Sequence, residues 1–157
     1  MALGGCAAPA PAPDPGTSPA TTGACPEAFL DFTTEQSETS GLENVVVREI
    51  PAAEFEPASI AEALDGGCLF VIEYVSGNNE GRQYQGYVPG GEDILSAIDT
   101  ALVAEGYEDE VENFYRDGDG NYVAAYPAGD PVSAADLAEQ GLTGFGDDIV
   151  IVNAYQG

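Results

Sequence analysis

The sequence predicts an α+β fold: a mainly antiparallel sheet of about five to six strands with helices packed on one face. Three observations lead there. Gly67-Cys68-Leu69-Phe70-Val71-Ile72-Glu73-Tyr74-Val75 is the longest apolar run, rich in β-branched and aromatic residues and flanked by Gly66 and by Ser76-Gly77-Asn78-Asn79, which reads as a central strand. After the Gly77-Asn78-Asn79-Glu80-Gly81 loop, Arg82 to Val88 alternates, with Tyr84 and Val88 on one side and Gln83 and Gln85 on the other, as an antiparallel partner would. Glu92 to Glu105 then carries Ile94, Leu95, Ile98, Ala101 and Leu102 as a helical stripe, with Glu92 and Asp93 at its positive end and Gly106 as its stop.

The remaining elements follow the same logic. Pro26 suits a first helical position, and Ala28, Phe29 and Phe32 form one apolar face, so residues 26–36 are expected to be helical until Gly41 breaks the chain. Val45 to Ile50 is β-branched and ends at Pro51. A short helix is expected between Pro57 and Gly66, with Ile60 and Leu64 four residues apart. Val111 to Arg116 and Tyr122 to Tyr126 read as two strands, Ser133 and Asp136 as the capping box of a helix through Leu137 to Gln140, and Asp148 to Tyr155 as a last strand. From Val45 to Arg116 the order is β-α-β-β-α-β, the split pattern of ferredoxin-like folds.

Charge and residue usage exclude whole classes of function. The chain of 157 residues holds 28 acidic residues against Arg48, Arg82 and Arg116, with no lysine or histidine, for a net charge of −25. Such a field repels nucleic acid and anionic headgroups. Without histidine there is no Ser-His or Cys-His pair and no histidine-held metal, and the three cysteines form no C-x-x-C. No phosphate-binding glycine loop and no G-x-S-x-G occurs, and no cofactor is implied.

Leu3-Gly4-Gly5-Cys6 resembles the lipobox of bacterial lipoproteins, in which small residues precede a cysteine that is acylated and becomes the mature N-terminus. Residues 7–24 carry Pro9, Pro11, Pro13, Pro15 and Pro19 among alanine, threonine, serine and glycine, an extended tether by composition. Lipobox, tether and globular domain are laid out as in surface lipoproteins of high-GC Gram-positive bacteria. The resemblance implies a remnant signal segment at 1–6, lipidation of Cys6, a tether at 7–24, a single domain at 25–157, and a place on the outer face of the cell membrane, held there by the lipid alone. With Cys6 acylated, Cys25 and Cys68 are the remaining thiols, and in an oxidising compartment they are expected as a disulfide; two buried free thiols are the alternative.

Residues with candidate chemistry are few. Asp117-Gly118-Asp119-Gly120-Asn121 opens like a calcium loop, with oxygens at the first, third and fifth positions, but Tyr122 stands where glycine is needed and Ala128 where a bidentate glutamate belongs. A tight hairpin turn is the expectation, with Asp117, Asp119 and Asn121 as weak divalent-cation candidates. Glu108-Asp109-Glu110 with Glu112, and Asp147-Asp148, are carboxylate runs expected on solvated faces. Phe114, Tyr115, Tyr122, Tyr126, Tyr84 and Tyr87 offer either an aromatic surface for sugar or peptide stacking or core cover. Arg82 and Arg116 are expected in structural ion pairs. The expected function is a non-catalytic interaction or ligand-binding module; the alternatives are an envelope hydrolase of glycosidase type using two carboxylates, and a cytoplasmic protein of unknown function.

Overall fold

A computed structural model of the chain describes residues 25–127 and 148–156. Its element order is α1 (Glu27–Thr39), β1 (Glu43–Glu49), β2 (Cys68–Ser76), β3 (Asn79–Pro89), α2 (Gly91–Glu105), β4 (Glu108–Val111), β5 (Phe114–Arg116), β6 (Tyr122–Pro127) and β7 (Ile149–Gln156). The strands form one seven-stranded sheet in the order β1-β2-β3-β7-β6-β5-β4, antiparallel at every pairing. The α+β class and the antiparallel sheet match the sequence reading. Cys6, the tether and the helix expected at Ser133 to Gln140 lie outside the described residues.

The central strand is β7, the last in sequence, which lies between β3 and β6. β2 and β3 form a hairpin with Ser76 opposite Asn79, so the loop is only Gly77-Asn78, with Gly77 at φ +64°. A positive φ at the first central position suits glycine and matches the twist of the paired strands. β4, β5 and β6 make a meander that docks on the far side of β7. The single strand expected from Val111 to Arg116 is the turn and second arm of a hairpin instead: Asn113 takes φ +65° and lets Phe114 pair back onto Val111. Asparagine tolerates that left-handed conformation better than most residues.

The helices lie on opposite faces of the sheet, not on one. Residues of β2 alternate: Cys68 and Phe70 join Phe29 of α1, whereas Leu69 and Val71 join Ile98 and Leu102 of α2. β7 divides the same way, with Ile149 and Ile151 towards α1 and Val150, Val152 and Ala154 towards α2. A strand apolar at every position is covered on both sides, because each face must leave water.

The ferredoxin-type section is not formed. β1 pairs directly and antiparallel with β2, whereas a β-α-β crossover joins parallel strands. The connection holds two 3-10 turns, Ala52–Glu54 and Ala58–Ile60, in place of the short helix. Its Phe55, Ile60 and Leu64 are fully buried and close the α2-side core. Proline at 51 and 57 removes backbone donors and keeps the segment from propagating as an α-helix.

α1 is held by few apolar groups. Only Phe29, Thr33 and Ser37 of the helix are buried, and the two hydroxyls turn back to the carbonyls of Phe29 and Thr33, each at 2.7 Å. Phe29 packs on Tyr87 with ring centroids 4.8 Å apart, and a disulfide joins Cys25, just before the helix, to Cys68 on β2, with Cα atoms 5.5 Å apart. The covalent link supplies what the polar underside of α1 does not.

Candidate functional site

α1 covers only one end of its sheet face. The other end carries side chains from five strands: Phe114, Tyr122, Tyr155, Gln83 and Tyr74 point to the same side as the α1-facing residues, by the alternation along each strand. Tyr122 sits opposite Tyr155 across the β6–β7 pair, and their rings stack with centroids 5.4 Å apart and planes 17° apart. Phe114 stacks on the other side of Tyr122 at 5.4 Å and 24°. The Arg116 guanidinium lies 5.7 Å from the Phe114 ring centroid. The three rings are half-buried.

Stacking decides what this row can recognise. Both faces of the Tyr122 ring are covered by its neighbours, so the row does not lay flat aromatic faces open as a sugar-stacking platform would. Ring edges and phenolic hydroxyls remain for contact. Burial raises the Tyr122 phenol above its ordinary value and the adjacent Tyr155 phenol adds to it; the same two causes raise Tyr74. These hydroxyls therefore stay protonated, as donors, well past neutral pH.

Between the row and α1 runs a band of amides. Gln85 donates to the Tyr87 hydroxyl at 2.6 Å, and Asn153 donates to the Tyr126 hydroxyl at 3.1 Å. Tyr87 is fully buried, and burial pushes its phenol up to about 12, opposed by a hydrogen bond with Thr33.

Beside the row, at the turn end of the β2–β3 hairpin, lies an open groove of about 540 Å³. By the alternation Glu73, Glu80 and Arg82 line it from the α2 side of the sheet, and Asn44 and the α1-side Tyr74 and Tyr155 border it too. Asn44 has φ +52° at the register irregularity between Glu43 and Val46, which turns the start of β1 towards the groove. Arg82 bonds Glu73 at 2.8 Å, and its hydrogen bonds to Tyr84 and Glu73 raise its guanidinium further above its ordinary value.

The sequence candidates divide cleanly. Tyr84, Tyr87 and Tyr115 are buried, whereas Phe114, Tyr122 and Tyr126 are only partly covered on the α1-side face. Tyr74 and Tyr155 belong to the site but carried no functional signal in the sequence. Tyr155 faces Tyr122 only because β7 inserts between β3 and β6, a pairing that local pattern does not reveal. Arg48, Arg82 and Arg116 all sit on carboxylates: Glu54 at 3.0 Å, Glu73 at 2.8 Å and Glu110 at 3.6 Å.

The Asp117–Asn121 segment is a hairpin loop. The Asp117 Oδ1 accepts the backbone N–H groups of Asp119 and Asn121, each at 2.9 Å, and its Oδ2 accepts the Asn121 side-chain amide at 2.7 Å. Desolvation alone would raise the Asp117 carboxyl, but the hydrogen bonds from Asn121, Asp119 and Gly120 outweigh it and hold the group below its ordinary value. Asp117 is thus used as a turn former. Among the described residues, no group of three or more potential ligands is placed to hold a metal ion, and no helix is long and apolar enough to cross a membrane. The Glu108-Asp109-Glu110 run forms the exposed edge strand β4, where charge discourages pairing with another strand. Asp148 is exposed, and Asp147 lies outside the described residues.

No protein-family model, no curated protein and no solved structure matches this chain.

Proposed function

We propose that this protein is a non-catalytic binding module, exported and held at the outer face of a bacterial membrane through Cys6. The single observation behind the binding role is the Phe114–Tyr122–Tyr155 row on the uncovered end of the sheet face. Tyrosines held by stacking lose little freedom on contact and offer both apolar area and a hydroxyl, which favours recognition. Export is supported by the Cys25–Cys68 disulfide, a bond that persists in oxidising compartments, and by the lipobox-like Leu3-Gly4-Gly5-Cys6. The carboxylate-hydrolase alternative has less behind it, since Glu73 of the groove is already engaged by Arg82.

Two experiments test the two halves. In a Gram-positive host, with an export leader ahead of residue 1, metabolic labelling with an alkyne fatty acid should mark the wild-type protein and not Cys6→Ser; label on both, or on neither, refutes the anchor. The folded domain, screened on glycan and peptide arrays, should retain a ligand that Tyr122→Phe and Tyr155→Phe bind more weakly while melting normally. Array signals indifferent to both substitutions, or turnover of a glycoside, refute the binding role.

A further inference from the structure

We infer that the uncovered α1-side face of the sheet binds an uncharged polysaccharide, held by side-chain amides and phenol hydroxyls and not by ring stacking. The inference rests on the binding-module reading and names its ligand class. Strands β2, β3, β7, β6 and β5 hold two carboxylates, Glu73 and Glu80, and the alternation places both on the α2 side. In a chain with 28 acidic residues, the α1-side face of five adjoining strands thus carries none. Its one cation, Arg116, stands at the β5 margin with Glu110 at 3.6 Å. A charged ligand finds no free counter-charge within this face.

Two rows of hydrogen-bonding groups cross the strands. Gln83 lies opposite Tyr155, and Tyr155 opposite Tyr122; two residues along β3, Gln85 lies opposite Asn153. The amides are already oriented, Gln85 by the Tyr87 hydroxyl and Asn153 by the Tyr126 hydroxyl. Each spends one N–H there and has no other side-chain partner among the described residues, so a second N–H and a carbonyl oxygen remain for a ligand. A donor and an acceptor in one plane match two neighbouring hydroxyls of a sugar, and groups fixed beforehand cost little to order. Adjacent strands set such groups about 4.8 Å apart, on the scale of one sugar unit, so a chain lying across the strands meets one per strand. Other occupants fit less well. An extended polypeptide takes its main-chain bonds from a sheet edge, whereas β3, β7 and β6 are paired on both sides. A basic chain is drawn to carboxylates, and those lie off this face. A second copy brings the same net charge of −25, and two such molecules repel.

The test runs the full chain in native gels containing dextran, mannan or xylan, with hyaluronate, glycol chitosan and poly-L-proline as comparison probes. At least one of the three neutral polysaccharides should retard the protein. Titrated into isotopically labelled protein, that polysaccharide should shift the side-chain amide signals of Gln83, Gln85 and Asn153 before any others. Gln85→Ala and Asn153→Ala should each weaken retention about three- to tenfold, the scale of one hydrogen bond, while Gln36→Ala, at an exposed position of α1, should change it less than about twofold. Where a substitution lowers the melting temperature, the wild-type amide shifts decide alone. Free passage through all three neutral polysaccharides, shifts that miss these three amides, or an equal loss from Gln36→Ala overturns the inference. So does retention by poly-L-proline, hyaluronate or glycol chitosan alone, which identifies a peptide, a polyanion or a polycation as the ligand. If the neutral polysaccharides fail while Tyr122→Phe and Tyr155→Phe still weaken a peptide-array ligand, this inference falls and the binding module stands.

Discussion

Tyr74 and Gly81 face each other across the β2–β3 hairpin, and the phenol ring fills the space a side chain at 81 would need: a Cβ there would lie 2.5 Å from Cζ of Tyr74. The backbone of Gly81 is not in the left-handed region, so the glycine is required by the ring and not by its own φ. Gly81→Ala should therefore cost about 1–3 kcal/mol by overpacking, and the cost should vanish when Tyr74 is also truncated. Urea unfolding of the two single variants and the double variant checks this; an equal cost with and without Tyr74 would mean that the ring is not the obstacle.

The disulfide predicts the order in which the fold comes apart. Cys25 and Cys68 close a loop with a sequence separation of 43, and the loop-entropy account assigns such a link about 3–4 kcal/mol. Because α1 buries only Phe29, Thr33 and Ser37, reduction should free α1 before the sheet opens. Hydrogen exchange in a dithiol should lose protection at Glu27–Thr39 first, with β3 and β7 still protected. Simultaneous loss across α1 and the sheet would contradict this.

Alkali should destabilise the protein through its buried phenols. Desolvation raises Tyr87 and Tyr115 from 10.0 to about 12, Tyr115 being raised also by its hydrogen bond to Asp99 and by the Asp99 charge. A folded pKa above the unfolded one means that the folded state keeps a proton the unfolded chain releases. The associated stability is complete below pH 10 and is lost as pH rises towards about 12. Tyr87→Phe should flatten part of that loss, at the cost of the Thr33 and Gln85 hydrogen bonds at neutral pH. Urea midpoints measured across this interval decide; an identical alkaline slope in Tyr87→Phe would exclude Tyr87 as a source.

Salt should stabilise the fold. With three arginines against 28 acidic residues, self-repulsion in the compact state exceeds that in the expanded chain. Raising ionic strength from about 0.01 M to about 1 M shortens the screening length from roughly 30 Å to roughly 3 Å, so the melting temperature should climb over that range. A flat profile would show that the acids are spaced widely enough not to oppose folding.

Local pattern made most elements readable. The stripe of Ile94, Ile98 and Leu102 marked α2 within one residue of its observed start, and Cys68 to Val75 marked β2, because periodicity and turn residues act over a few neighbours. The same run also carried an unread message: apolar residues at successive positions meant cover on both faces, and so helices on opposite sides. Asp117 was legible as a turn former, since its partners lie within four residues. Glu108 to Val111 was harder to place, because an acidic run becomes a strand only when Phe114 to Arg116 returns beside it.

What the chain settles through neighbours close in sequence is most of its strands, its longer helix, its Asp117 turn, its acidity and the exclusion of histidine chemistry. What required the folded molecule is everything that joins distant residues. Tyr155 stacks on Tyr122 because β7 slots between β3 and β6, and Asn44 and Glu80 line one groove because β1 returns along β2. Such contacts depend on which of several compatible strand pairings buries the most apolar surface, a comparison made over the whole sheet at once and not within any single stretch of residues.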